Sequence, residues 1–293
     1  MHTMIRAYEE YLGAERNYSS HTLEAYRNDL DQLASFLSSR NIHAWSDVHR
    51  ETLRVYLRTL VEAGVSKKSI ARKVASLRSF FKFLRRRNVL SSNPALTLIS
   101  PKLERRLPVY LDEGAAEEML SLPDRSDVDG KRDAAILELF YSTGMRLSEL
   151  VGLNVGDMDF EAGTVKVRGK GRKERILPVG KKAVSAVRAY LDARTNPRQD
   201  PGSPLFCTSS GKRTYPMAIT RLVKRYIERV SEIEKQSPHV IRHSFATHML
   251  NRGADLRAVK ELLGHESLST TQVYTHVSTE RMKKVYRQSH PKA

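Results

Sequence analysis

Residues 238–277 read PHVIRHSFATHMLNRGADLRAVKELLGHESLSTTQVYTHV, and this stretch is dense in side chains that act on phosphates. Histidine, arginine and tyrosine are residue types that protonate, bind and attack a phosphoryl group. The candidates here are His239, Arg242, His243, His248, His265, Tyr274 and His276. The local fold of the stretch decides which of them can act together.

The spacing at the start of the stretch predicts a helix whose first turn binds an anion. Ser237 followed by Pro238 is typical of a helix start, with serine as the N-cap and proline at the first helical position. His239 and Arg242 are three residues apart and share one face of that turn. The free N–H groups and the dipole of a helix N-terminus favour a phosphate there.

Two breaks then bring later residues back toward this turn. Gly253 ends the first helix, residues 254–263 form a second, and Gly264 ends that helix just before His265. Ser269 is placed to cap a third short helix that carries Tyr274. His265 and Tyr274 are therefore predicted to approach His239 and Arg242.

This arrangement resembles the active-site signature of the tyrosine recombinases, the phage-integrase family. His239-x-x-Arg242, the LGH segment at 263–265 and Tyr274 in VYTH match its second half. Its first half is an arginine in a G-x-R-x-x-E segment, which residues 144–149, GMRLSE, supply as Arg146. In that segment Glu149 is expected to orient the arginine.

The family's active-site lysine lies at the tip of a β-hairpin, and GKG at 169–171 matches it through Lys170. On chemistry alone, Arg172 and Lys173 compete for the same role, and the match of position selects Lys170. The resemblance covers essentially the whole chain. Its size and its C-terminal end are most similar to the Xer recombinases, of the XerC or XerD type.

The resemblance implies covalent catalysis by Tyr274. The phenolic oxygen attacks the scissile phosphate and forms a 3′-phosphotyrosyl link, which conserves the energy of the broken phosphodiester. Arg146 and Arg242 would give bidentate hydrogen bonds to the charge that develops on the phosphorus centre.

The remaining family positions carry protons. Lys170 would protonate the leaving 5′-oxygen, His239 would accept the phenolic proton, and His265 would donate to a non-bridging oxygen. Because two arginines take the charge, we expect no Mg²⁺, no other metal and no cofactor.

The chain of 293 residues is predicted to be mainly α-helical, with two domains. Residues 1–92 read as four short helices and resemble the SAM-like core-binding domain of the family. Residues 93–108 contain three prolines and read as a linker. Residues 109–293 read as an α+β catalytic domain with a small antiparallel sheet, because the apolar period changes to two over 157–179.

Two helices are predicted to present basic faces. In the fourth N-terminal helix an apolar stripe faces the core, and the remaining surface carries cations. These cations are Lys68, Arg72, Lys73, Lys82, Arg85, Arg86 and Arg87. The helix predicted at 217–230 carries Arg221, Lys224, Arg225 and Arg229 and is a candidate for the DNA major groove.

The whole chain is basic, with 50 Lys and Arg residues against 33 Asp and Glu residues and a net charge of +17. Residues 1–100 carry 16 basic and 9 acidic side chains, so both parts of the chain share the excess. This distribution suits two domains that bind one polyanion, double-stranded DNA. One cysteine, no apolar run of about 18 residues and a charged N-terminus predict a cytoplasmic protein.

A Xer recombinase implies a biological role as well as a reaction. We expect resolution of chromosome dimers at a dif-like site during cell division, by a tetramer of this chain alone or with a paralogue. The DNA translocase FtsK is a further expected partner. In the family the C-terminal tail packs into a neighbouring protomer, although a tail that folds back on its own domain remains an alternative.

Other functions share some of these features. An integrase of a phage or mobile element would use the same residues, and a type IB topoisomerase would use nearly all of them but reseal the same strand. A DNA-binding protein without catalysis has no need of Tyr274. A zinc enzyme is disfavoured because HVIRH lacks the Glu of H-E-x-x-H and no third ligand has suitable spacing.

Overall fold

The apolar side chains form two hydrophobic cores, one in each part of the chain. The computed structural model describes residues 1–16, 18, 20–102, 109–169, 174–194, 200–234, 236–264 and 279–292. It divides the chain into two compact units, Met1–Arg106 (unit 1) and Leu107–Ala293 (unit 2). In the described residues no helix is both long enough and apolar enough to cross a bilayer.

Unit 1 is built from helices whose apolar faces meet in one core. Its described α-helices are α1 (His2–Ala14), α2 (Ser20–Ser38), α3 (Arg50–Glu62) and α4 (Lys67–Arg86). The side chain of Ser66 caps α4 by accepting a hydrogen bond from the Ser69 N–H at 3.2 Å. The apolar stripe of α4 is buried as predicted, and Trp45 packs against it through Phe80 and Phe81.

One part of the predicted basic face of α4 is wrong. Lys73 is 5% exposed, and its ammonium donates to Asp29 on α2 at 2.9 Å and to Gln32 at 2.5 Å. Arg72 donates to the other oxygen of Asp29 at 2.5 Å. Periodicity placed Lys73 outside the apolar stripe, but a buried carboxylate partner compensates its desolvation. The other predicted cations of this face remain exposed: Lys68, Arg72, Lys82, Arg85, Arg86 and Arg87.

Unit 2 surrounds a buried central helix. Its described α-helices are α5 (Glu113–Ser121), α6 (Val128–Thr143), α7 (Leu147–Gly152), α8 (Lys181–Ala193), α9 (Pro216–Ile227), α10 (Pro238–Asn251), α11 (Leu256–Leu263) and α12 (Thr279–Ser289). Every residue of α6 from Asp133 to Thr143 is buried. The helix begins three residues before its predicted start at 131, because the Asp127 side chain accepts from the Gly130 N–H at 2.6 Å.

The described residues of unit 2 also form a three-stranded antiparallel sheet of order β1-β2-β3. The strands are β1 (Met158–Asp159), β2 (Thr164–Arg168) and β3 (Glu174–Pro178). Val165 lies opposite Met158 on one side and Leu177 on the other, and all three face the core. The mainly helical fold with a small antiparallel sheet is confirmed.

The C-terminal helix α12 packs against unit 2 itself. The hydroxyl groups of Tyr286 and Ser142 are hydrogen-bonded at 2.6 Å, and the Ser142 oxygen also accepts from the Gly180 N–H at 2.8 Å. The His290 ring stacks on Tyr286 and lies 3.3 Å from the carbonyl oxygen of Tyr141. Burial lowers the pKa of His290 to about 4, so the tail is held by a neutral imidazole.

We expect Asp29→Ala to destabilise unit 1 by about 3–5 kcal/mol, since Lys73 would remain buried without its carboxylate partner. Urea unfolding of the full chain, followed by fluorescence of the buried Trp45, measures this loss. In the control Asp31→Ala the lost carboxylate is exposed and makes only surface ion pairs, so the change should stay below about 1 kcal/mol. Equal effects of the two substitutions would contradict a stabilising role for the buried pair.

Acidification should destabilise unit 2 through His290. The folded-state pKa lies below the unfolded value, so the stabilisation is present at pH 7 and is lost as the pH falls through about 6.5. Between pH 7 and pH 5 the loss is about 2 kcal/mol. Calorimetric unfolding at the two pH values should show a smaller difference for His290→Phe, which keeps an aromatic ring on Tyr286. The same pH dependence of the unfolding free energy in both proteins would argue against a contribution from His290.

Candidate active site

Helix α10 presents His239 and Arg242 on its first turns. Pro238 is its first residue, and Ser237 occupies the N-cap position, but the serine side chain makes no capping hydrogen bond. The predicted helix start, with Ser237 as the N-cap residue and Pro238 as the first helical residue, is therefore confirmed. His239 is exposed, whereas Arg242 is 8% exposed. The turn thus carries one solvent-facing imidazole and one buried guanidinium.

Arg242 joins two segments that are distant in the sequence. Its Nη1 donates to the Gly144 carbonyl at 2.6 Å and its Nη2 to the Leu263 carbonyl at 2.7 Å. Burial, and then the charge of Arg146, lowers the pKa of Arg242 to about 10. The folded protein therefore keeps a desolvated cation at this point, and a nearby anion would stabilise its charge.

Arg146 lies between α6 and α7 and is the N-cap residue of α7. Its backbone N–H donates to the Glu149 Oε2 at 2.7 Å, and its Nη1 donates to the Glu149 Oε1 at 3.0 Å. Its Nη2 donates to the Gly264 carbonyl at 2.5 Å. Glu149 therefore orients Arg146 as expected. The Arg146 side chain is 38% exposed, so part of its guanidinium can meet a ligand.

Arg175 on β3 is the residue at this site that sequence reasoning missed. It donates from Nη1 to the Glu149 Oε1 at 2.7 Å and from Nη2 to the Glu149 Oε2 at 3.0 Å. Its Nε donates to the Leu262 carbonyl at 3.1 Å. In the sequence it is one more cation after Arg172 and Lys173, and no spacing rule links it to a glutamate 26 residues earlier.

Three guanidinium groups therefore bind three consecutive carbonyls at the end of α11. Arg175 binds Leu262, Arg242 binds Leu263 and Arg146 binds Gly264. The last carbonyls of a helix have no partner within the helix and lie at the negative end of its dipole. Cationic donors from β3, α10 and α7 satisfy them here, and they fix the point from which the chain continues into residues 265–278.

Glycine is required at both helix ends that these arginines bind. Gly144 and Gly264 end α6 and α11 with φ of +56° and +65°, a region that side chains with a Cβ rarely adopt. A Cβ on Gly144 would also clash with the Phe245 ring. A Cβ on Gly264 would lie 3.0 Å from the Arg175 Cζ, which is tighter than ordinary contact.

The described charged groups of the cluster are three arginines and one glutamate, which leaves a net charge of +2. Burial alone would raise the pKa of Glu149, but hydrogen bonds and charge from Arg175 and Arg146 lower it below its usual value. Glu149 therefore stays ionised and offsets one positive charge. The remaining two suit a phosphodiester at the exposed part of Arg146.

Some of the other predicted site residues belong to the described part of the chain, and some do not. Lys170, His265 and Tyr274 lie outside the described residues, as do Arg172, Lys173 and His276. His243 lies on α10 with part of its surface exposed; partial desolvation of the ring, followed by the charges of His239 and Arg242, lowers its pKa.

His248 has a structural role. It is buried, with Nδ1 2.8 Å from the Tyr141 hydroxyl and Nε2 2.8 Å from the Leu111 carbonyl oxygen. In the described ranges no group of three or more His, Cys, Asp or Glu side chains is arranged to hold a metal ion.

On α9, the candidate groove helix, Arg225 is not wholly available to a ligand. It donates to the buried Asp133 of α6 at 2.6 Å, and Asp133 also accepts from the Tyr226 hydroxyl at 3.1 Å. Lys224 forms a surface ion pair with Glu228 at 3.4 Å. The face of α9 thus combines solvated cations with one that anchors the helix.

Replacement of Glu149 by glutamine should destabilise unit 2 by about 3 kcal/mol, because Arg146 and Arg175 would lose a shared carboxylate that is 2% exposed. Calorimetric unfolding of the full chain measures the loss. Glu174→Gln is the matched control: Glu174 is exposed and pairs with Arg168, so its change should stay below about 1 kcal/mol. A loss for Glu149→Gln no larger than that of the control would argue against the cluster as a stabilising unit.

Comparison with known proteins identifies the family. A model of the phage integrase family matches residues 110–281, and a model of the phage integrase N-terminal SAM-like domain matches residues 5–88. Tyrosine recombinase XerC of Pelotomaculum thermopropionicum is 44% identical, over 100% of this chain and 99% of the relative. Tyrosine recombinase XerC of Pelobacter propionicus is 45% identical, over 99% of this chain and 95% of the relative.

A solved structure shares the fold. The XerH site-specific recombinase bound to a palindromic difH substrate, in a post-cleavage complex, matches with a TM-score of 0.71 and 24% identity, over 92% of this chain and 80% of that one. The family model spans more than half of the chain. Both XerC relatives match this chain along essentially their full length. The chain therefore belongs to the phage integrase family of tyrosine recombinases and is a DNA strand transferase of the Xer subfamily.

Proposed function

We propose that this recombinase cuts and rejoins double-stranded DNA at a dif-like site and thereby resolves chromosome dimers during cell division. The observation that carries the proposal is the cluster of three guanidinium groups at the C-terminal end of α11, beside the N-terminus of α10, in which Arg146 and Arg175 also bind the buried Glu149. Its excess positive charge suits a scissile phosphate. The XerH structure bound to a difH substrate and the XerC relatives support the choice of a dif-like target.

In the proposed reaction the Tyr274 phenolic oxygen bonds to the scissile phosphorus while the bond from phosphorus to the 5′-oxygen breaks. His239 accepts the phenolic proton, and Lys170 gives a proton to the leaving 5′-oxygen. The products are a 3′-phosphotyrosyl link and a free 5′-hydroxyl. Attack by a 5′-hydroxyl from another strand reverses these steps, so no external energy source is needed.

Arg146 and Arg242 stabilise the charge that grows on the non-bridging oxygens, and His265 donates a further hydrogen bond. The observed bonds of the arginines to fixed carbonyls support this role, because preorganised donors need little reorganisation during the reaction. Each guanidinium carries five N–H groups, so binding a helix end leaves donors for a phosphate. With two cations at the phosphorus centre, the reaction requires no metal ion.

The proposal extends to the assembly. Residues 1–92 act as the core-binding domain, 93–108 as the linker and 109–293 as the catalytic domain. The exposed cations of α4, among them Lys68 and Lys82, contact DNA phosphates. Two pairs of protomers, of this chain alone or with a paralogue, form the synapse in the cytoplasm, and the translocase FtsK controls it.

A nicked suicide substrate that carries a dif-like site tests the reaction. The wild-type protein should form a covalent adduct visible on a denaturing gel, and it should do so in excess EDTA. Tyr274→Phe should form none, because phenylalanine has no nucleophilic oxygen, while its affinity for the same DNA is unchanged.

Two results would oppose the proposal. An adduct that persists in Tyr274→Phe would show that another residue attacks the phosphate. Loss of the wild-type adduct in EDTA would show that a metal ion takes part. A strand-exchange product with a second labelled duplex separates recombination from a topoisomerase, which would reseal the original strand only.

A further inference from the structure

Arg175 is the cation of the cluster to which neither the family signature nor the proposed chemistry gives a role. It lies on β3, with a side chain 18% exposed. We infer that Arg175 is a positioning residue for strand cleavage. It holds Glu149 in its hydrogen bonds to Arg146, and it fixes the C-terminal end of α11, which precedes His265 in the sequence. This inference rests on the proposed function and concerns how the same site is kept in order.

Four hydrogen bonds fix the orientation of the Glu149 carboxylate. Its Oε1 accepts from Arg146 at 3.0 Å and from Arg175 at 2.7 Å. Its Oε2 accepts from the Arg146 backbone N–H at 2.7 Å and from Arg175 at 3.0 Å. Each oxygen thus has two donors, which fills its two lone pairs. Without Arg175, Glu149 could turn away from the bidentate geometry and carry the Arg146 guanidinium with it.

The third bond of Arg175 connects Glu149 to α11. The guanidinium spans the carboxylate and the Leu262 carbonyl with three donors in one plane. Lysine has a single nitrogen and cannot span these acceptors in the same way. Gly264 makes the approach feasible, since a Cβ there would lie 3.0 Å from the Arg175 Cζ. The side chain therefore links β3, α7 and α11 directly.

These contacts favour positioning over direct contact with DNA. Three of the donors of Arg175 face protein acceptors, and its side chain is less exposed than that of Arg146, at 18% against 38%. Arg146 is therefore the arginine of this pair that is open to the phosphate, and Arg175 acts on it through Glu149. A displacement of about 1 Å at a reacting group costs on the order of 100-fold in rate.

The test compares Arg175→Gln and Arg175→Lys with the control Arg188→Gln. Arg188 on α8 is an exposed arginine that also donates to a backbone carbonyl, that of Phe160, at 3.3 Å. We expect single-turnover adduct formation to slow about 100-fold in Arg175→Gln and about 10-fold in Arg175→Lys. DNA affinity should stay within about threefold of wild type in both. The control should match wild type in rate and affinity.

A pH profile separates positioning from a general loss of folded protein. Among the described residues, the charged groups that face Glu149 are Arg146 and Arg175, with Arg242 nearby. In Arg175→Gln the buried carboxyl loses its largest source of stabilisation as an anion, so its pKa rises. The cleavage rate should then fall at a higher pH than in wild type as the solution is acidified. A smaller folded fraction would lower the amplitude of the reaction at every pH without this shift.

A double-mutant cycle tests whether Arg175 acts on the cleavage rate through Glu149. If Arg175 acts through Glu149, the double variant Glu149→Gln/Arg175→Gln should cleave no more slowly than the slower single variant. Additive losses, a wild-type rate in Arg175→Gln, or a rate loss fully explained by weaker DNA binding would each overturn the inference.

One readout does not depend on cleavage. Hydrogen exchange of the amides of α11 should be faster in Arg175→Gln than in wild type, and unchanged in Arg188→Gln. If the wild-type protein forms no adduct, the proposed function fails while this readout still tests the anchoring of α11. Unchanged exchange in Arg175→Gln would overturn the anchoring.

Discussion

The capping of the α11 C-terminus by three guanidinium groups is the interaction on which the site depends. The last carbonyls of a helix need hydrogen-bond donors, and partly or fully buried guanidinium groups need acceptors. The two requirements are met by the same bonds, at Leu262, Leu263 and Gly264. Because the arginines come from β3, α10 and the N-cap of α7, this one contact joins three elements of unit 2 at the residue that precedes 265–278.

Sequence reasoning found the residues whose roles follow from local patterns. Arg242 and His239 share a predicted helix start, which their spacing shows, whereas Arg146 was identified by its match to the G-x-R-x-x-E segment of the family. Arg175 and Lys73 were missed or misread because their partners, Glu149 and Asp29, lie 26 and 44 residues away. From sequence alone, a lysine or arginine outside an apolar stripe is predicted to face solvent. Its pairing with a carboxylate so distant in the sequence is a property of the tertiary fold.

The helices and strands show the same contrast between features encoded in neighbouring residues and features that depend on a specific side-chain bond. Apolar periodicity located the helices of both units and the alternating strands, since burial of one face is encoded in neighbouring residues. The start of α6 was misplaced because a capping bond from Asp127 outweighs the polar character of the residues after it. At Ser237 and Pro238 the pattern predicted the helix start correctly, because N-cap and first-turn preferences are properties of neighbouring residues.

The two helix-ending glycines bear on how variation among related sequences should be interpreted. Gly144 and Gly264 lie beside Arg242 and Arg146, yet their constraint comes from backbone conformation and from the Phe245 ring and the Arg175 side chain. Neither glycine has a side chain with which to contact DNA. Their constancy in an alignment would therefore record backbone conformation and packing beside the site, and a smaller neighbour alone would not make a substitution at either position tolerable, because the strain of a positive φ would remain.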